Sequence, residues 1–190
     1  MKATVVCISH TDGADGRAVG GLVADRLGFR LADDAIVVAA ARAEGLLPES
    51  VSYAEDREAG RTIEVDFGRV ERTETLRELI RAAVHETADE GAVVIVAHAA
   101  SYALAGREGV LRVLVTASPE TRVSRMAGAG GLDKKEAAKR LADSDKGRAV
   151  YLERFYKVHH ELPSDYDLVL NTDRLTADEA VAIIVGTATT

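Results

Sequence analysis

Arg17 closes a short glycine-containing turn, TDGADGR, separated only by His10 from the apolar run Thr4–Ser9. Gly13 and Gly16 let a backbone bend close to an anion, and an arginine offers two parallel donors to phosphate oxygens. Val19, Leu22, Val23 and Leu27 follow at helical spacing, so the turn feeds a helix N-terminus, whose N–H groups and dipole attract negative charge. The standard phosphate-binding loop, G-x-x-x-x-G-K-[ST], is not met. Aligned on Gly16, Thr11 stands at the first glycine, Arg17 replaces the lysine, and Ala18 replaces the magnesium-binding hydroxyl; Val19 offers none either. Asp15 adds a negative charge where phosphate would approach. Gly13, Ala14, Asp15, Gly16, Arg17 and Ala18 are the candidate phosphate contacts. A glycine turn in a structural βαβ unit is the competing reading.

A second group of cations lies in SPETRVSRMAGAGGLDKKEAAKRLADSDKGRAVYLERFY. Arg122 and Arg125 are three apart and share a helix face. Gly128, Gly130 and Gly131 predict a flexible joint. Arg140, Ser144 and Arg148 are four apart on the next helix, with Asp143 and Asp145 between them. Positioned cations and a closing lid are what phosphoryl transfer requires, because charge spreads over the transferred group and water must be excluded. A solvated helix pair with surface ion pairs is the alternative.

Positioning such groups requires a scaffold. Thr4–Ser9, Ala92–Ala97, Leu111–Thr116 and Asp167–Asn171 are short, rich in β-branched residues and read as strands mostly buried on both faces; Phe29–Leu31 is a weaker one. Helical patterns lie between them. Gly28 is a stop for the first. Asp34 can cap a helix over Ala35–Glu44, and Thr75–Glu90 carries Leu76, Leu79, Ile80 and Ala83 on one face. Ser118-Pro119-Glu120 is a helix start, and Asp133–Glu136 and Thr176–Glu179 have capping-box spacing. Alternating strands and helices imply an α/β fold with a mostly parallel sheet. Leu47–Arg72 is polar and irregular and is expected to form an insertion over one edge.

Composition agrees. The 190 residues fit one domain and are 47% hydrophobic but only 4% aromatic, with no tryptophan. A net charge of −7 argues against a nucleic-acid binder. The single cysteine, Cys7, lies in an apolar run and is expected to act as a small buried hydrophobe. No apolar segment approaches transmembrane length, and the start of the chain lacks a signal-peptide layout, so a cytoplasmic location without membrane contact is expected. The adjacent His159 and His160 read as loop residues and not as a metal site.

The order of these motifs resembles the cytidylate kinase-like proteins, relatives of the nucleoside monophosphate kinases, over nearly the whole chain. LVTASPETRVSRM resembles their passage from the fourth strand into the lid, RLADSDKGRAVYLERFY their lid helix, and YDLVLNTDRLTADEAV their last strand and closing helix. DGADGRAVG occupies the place of the glycine-rich loop G-S-G-G-R, and VVIVAHAASYAL that of a G-R-G-A segment. The resemblance implies a P-loop kinase-like fold: a five-stranded, mostly parallel sheet flanked by helices, with a lid over residues 122–161. It implies transfer of the ATP γ-phosphate to a nucleoside monophosphate, CMP or dCMP, with Mg2+, and it leaves a homodimer open. Gly13–Arg17 would hold the ATP phosphates; Arg17, Arg122, Arg140 and Arg148 would be catalytic cations, and Arg125 a further nucleotide contact. His98 and Asp33 are the substrate-side candidates. Two departures stand out. Ala14-Asp15 replaces Ser-Gly, and Ala97-His98-Ala99 replaces Gly-Arg-Gly, removing the guanidinium expected on the acceptor phosphate. A degenerate kinase fold serving as a nucleotide-binding, regulatory or dimerisation module is therefore the second reading.

Overall fold

The computed structural model describes residues 2–33, 73–97 and 99–190. The expected helix over Ala35–Glu44, the insertion over Leu47–Arg72 and His98 lie outside them. In chain order the elements are β1 (Val5–His10), α1 (Gly16–Leu27), β2 (Arg30–Asp33), α2 (Thr73–Asp89), β3 (Val93–Val96), the short α3 (Ala100–Ala103), β4 (Val110–Thr116), α4 (Pro119–Gly130), α5 (Lys134–Tyr156), a 3-10 turn at Pro163–Asp165, β5 (Leu168–Asn171) and α6 (Ala177–Thr189).

The five strands form one sheet in the order β2-β3-β1-β4-β5, and every pairing is parallel. Central β1 alternates between two cores. Val6 and Ile8 pack with Val94, Val96, Val113 and Val115 under α1 and α6, whereas Val5 and Cys7 pack with Val93, Ile95, Val84 and Leu104 on the other face. Burial on both faces holds for β1 and β3. It does not hold toward the edges: in β4 every second residue is only half-buried, because Arg112, Leu114 and Thr116 face the less covered side. Burial pushes the Cys7 thiol up to about 12, so it stays protonated in the core.

Three helix starts, those of α4, α5 and α6, follow from their capping chemistry. Ser118 accepts the Thr121 N–H and Asp133 that of Glu136, while Thr176 and Glu179 bond reciprocally. Gly28 ends α1 in the left-handed region. The glycine joint is shorter than expected. Helix α4 runs through Gly128 and Gly130, and Gly131 alone breaks it, at φ 61°. Neighbouring small residues do not stop a helix while its N–H bonds continue; only the left-handed residue does.

Candidate active site

Parallel strands place the carboxyl ends of β1, β3 and β4 along one edge, where open α/β sheets bind ligands. The loop from His10 to Asp15 rises there and enters α1. Its shape depends on two close approaches. A Cβ on Gly13 (φ 77°) would lie 2.9 Å from the Arg122 carbonyl oxygen, and one on Gly16 would lie 2.2 Å from His10 Cβ. Both positions require glycine. Ala14 is fully buried; its N–H donates to Thr11 O at 3.1 Å and its carbonyl accepts the Thr172 hydroxyl at 3.2 Å. Ala14 therefore anchors the loop and turns neither its side chain nor its amide outward. Asp15 adopts φ 61° at the N-cap without capping the helix through its side chain. Arg17 and Ala18 are exposed on the first turn of α1.

The hairpin α4–α5 packs over this loop. Arg122 is buried; its Nε donates to Asp12 O at 2.6 Å, and Nη1 and Nη2 donate to the two Asp145 carboxylate oxygens at 2.9 and 2.6 Å. Arg125 donates to Gly13 O at 3.3 Å, to Thr172 Oγ1 at 2.9 Å and to Thr172 O at 2.6 Å, and its Nε lies 3.2 Å from Asp15 Oδ2. Arg148, also buried, donates through Nε and Nη2 to Glu161 at 2.9 and 2.5 Å, and through Nη1 to His10 O at 3.3 Å. Ser144 adds a bond to Asp12 Oδ2 at 2.6 Å. Burial alone would depress the Arg148 pKa, but Glu161 outweighs it and the group is held more firmly charged than usual.

Three of the expected cations thus converge on one loop, through the carbonyls of residues 10, 12 and 13. Arg140 does not join them. It is exposed and pairs with Glu136 on its own helix at 2.9 Å. Residues 140 and 148 are two turns apart, and it is the middle of α5, from Ser144 to Arg148, that reaches the loop. Asp33 ends β2, opposite Val96 and on the same sheet edge, two strands from β1. His159 pairs with Glu153 at the exposed end of α5. Thr172 and Asp12 were missed as site residues. One sits in an Asn-Thr-Asp turn and the other in a loop read only for its glycines, and neither carries a spacing signal.

Donor chemistry fits a phosphate chain better than a protein-held magnesium. Helix α1 opens behind a turn of left-handed residues, with Arg17 on its first turn. Position 18, where a hydroxyl would meet the metal, is alanine, and among the described residues no group of three or more His, Cys, Asp or Glu could hold a metal ion.

A family model described as "Cytidylate kinase-like family" matches residues 5–174, from β1 through the turn after β5. The chain belongs to the cytidylate kinase-like family. It is similar to a cytidylate kinase from Methanopyrus kandleri, 31% identical over 110 residues that cover 52% of this chain and 55% of that one. A cytidylate kinase from Methanocorpusculum labreanum is 34% identical over 74 residues, covering 39% and 42%. The chain thus spans about half the length of the curated relatives it matches. Among solved structures, an uncharacterized protein from Eubacterium ventriosum aligns at TM-score 0.71 with 16% identity, covering 97% of both chains. Shikimate kinase from Bacteroides thetaiotaomicron aligns at TM-score 0.54 with 15% identity, again covering 97% of both. At these identities the structural likeness establishes the P-loop kinase fold of this family member and nothing finer. Among the described residues no helix is long and apolar enough to cross a membrane.

Proposed function

We propose that this cytidylate kinase-like protein transfers the γ-phosphoryl group of ATP to a nucleoside monophosphate, CMP or dCMP. The observation that carries the reading is the convergence of Arg122, Arg125 and Arg148 on the loop that opens α1. In-line phosphoryl transfer asks a protein mainly for positioning and for fixed positive charge around the transferred group. Arg17 supplies the cation on the loop itself. Arg122 and Arg148 are fixed by carboxylates above it, and Arg125 shapes the loop through Gly13 and Thr172. Magnesium enters this reading only as the counterion of the nucleotide, since Ala18 offers it no ligand.

An ATP-consumption panel over the common nucleoside monophosphates tests the reading. ADP should appear with CMP or dCMP present, and Arg17→Ala should abolish it. Absence of turnover with every monophosphate would overturn it.

One observation favours a second reading, a degenerate kinase fold that binds a nucleotide for regulation. Asp15 adds a carboxylate at the start of α1, and Arg125, Arg122 and Arg148 are each matched by an acid. Under that reading ATP raises the melting temperature without turnover, because a ligand bound only to the native state stabilises it.

A further inference from the structure

Arg148 is held by a chain of contacts that starts outside the loop and the lid helix. The segment after α5 places Glu161 against the guanidinium, taking its Nε–Nη2 edge through both carboxylate oxygens. Tyr166, buried just before β5, donates its hydroxyl to Glu161 Oε1. The turn carrying Glu161 is fixed in its turn by Asp165, which accepts the Leu162 N–H at 2.8 Å and the Tyr102 hydroxyl at 2.9 Å. Tyr102 belongs to α3, which follows β3 at the ligand edge of the sheet, and its ring meets that of Tyr166 edge-on at 6.1 Å.

A guanidinium is a planar fork, so fixing one edge fixes the direction of the other. With Nε and one Nη2 proton on Glu161, the Nη1 side turns to the start of the phosphate loop, where it donates to His10 O at 3.3 Å. From this geometry we propose that Glu161 and Tyr166 are positioning residues for phosphoryl transfer, acting only through Arg148, whose Nη1 side they aim at the phosphate loop. The proposal rests on the phosphoryl-transfer reading above. It gives a reason for a buried arginine–carboxylate pair, which is by itself weak evidence for stability. It also explains why the acid is hydrogen-bonded by a tyrosine. Burial, reinforced by the bond to Glu161, raises the Tyr166 pKa above its ordinary value, so the hydroxyl remains a donor throughout the neutral range.

The test measures single-turnover phosphoryl transfer and KM for ATP in Tyr166→Phe, which keeps the ion pair and the ring, and in Glu161→Gln, alone and combined with Arg148→Lys. Loss of aim at a reacting group costs on the order of a hundredfold in rate. The expected result is a fall of that order in Glu161→Gln and a smaller one in Tyr166→Phe. KM for ATP in Tyr166→Phe should stay near wild type, and Glu161→Gln should have no further effect on the Arg148→Lys background. Wild-type rates in both single variants overturn the proposal, as does a full additional loss from Glu161→Gln on the Arg148→Lys background. A wild-type protein that phosphorylates no monophosphate overturns the parent reading and this one together, so the two failures are told apart by the wild-type arm.

Discussion

Asp15 and Arg125 face each other across the start of α1, the carboxylate oxygen 3.2 Å from Nε. The pair offsets, without removing, the carboxylate that the sequence sets beside the glycine turn. The arginine from α4 that shapes the loop also pairs with the Asp15 charge. Asp15 itself sits in the left-handed backbone region, where aspartate is tolerated at a cost that glycine avoids.

Asp15→Gly follows as the first prediction. The substitution relieves left-handed strain of about 1 kcal/mol and removes a half-exposed ion pair that contributes at most ~1 kcal/mol. Stability should therefore change little. The ATP-induced rise in melting temperature should grow, because a negative charge leaves the start of α1. Equal thermal shifts in wild type and variant would show that the Asp15 carboxylate does not oppose nucleotide binding.

Gly13→Ala should be damaging. At φ 77° an alanine costs about 1–2 kcal/mol, and its Cβ would press on the backbone of Arg122 at 2.9 Å, which is not a flexible side-chain end. The expected outcome is a lower urea midpoint by at least that amount, together with a loosened Arg122. A variant as stable as wild type would mean that the loop and α4 separate at little cost.

Much of this arrangement was legible in the sequence, for identifiable reasons. Strand β1, Ser118, Asp133 and Thr176 announce themselves because apolar runs and caps are local signals, each decided within a few residues. The convergence of residues 122 and 148 on a loop more than a hundred residues earlier is set by the β1–β4 pairing, and spacing along helices hints at it only weakly. Arg140 shows the limit. Regular four-residue spacing put it in line with Ser144 and Arg148, yet the loop is short, and only the middle turns of α5 reach it. Glu161 and Thr172 carried no periodic signal, since both lie in irregular turns whose position depends on the assembled sheet.

Acid sensitivity should centre on Asp167. Burial acts to raise its pKa, but the side-chain and backbone donors of Arg112, at 2.8 to 3.2 Å, outweigh it and hold the carboxyl below its ordinary value of 3.8. Asp173 and Glu179 are lowered in the same sense by the Ser118 and Thr176 N–H groups. A pKa lower in the folded than in the unfolded chain gives stability that is present above the unfolded value and lost as pH falls through the folded one. Stability should thus be flat from neutral pH down to about 4 on this account and fall below it. Asp167→Asn should lower the plateau and flatten the acid limb, as read by denaturant midpoints from pH 2.5 to 7. An unchanged acid limb in that variant would remove Asp167 from the account.

Arg122 and Arg140 offer the sharpest contrast between a cation built into the loop and one on the surface. Arg122→Ala removes a buried fork and strips partners from Asp145 and from the Asp12 carbonyl, at a cost of about 1.5–3 kcal/mol for hydrogen bonds to charged groups. Arg140→Ala removes one exposed pair within α5, at a cost of ~0.3–0.5 kcal/mol. In denaturation the first should shift the midpoint clearly and the second barely. If the observed hairpin is the catalytically competent one, turnover should follow the same order, with Arg122→Ala inactive and Arg140→Ala close to wild type. Loss of turnover in Arg140→Ala with stability intact would instead show that the N-terminal half of α5 moves onto the loop when nucleotide binds. Protection of the Lys134–Arg140 amides from hydrogen exchange on adding ATP would then report that movement directly.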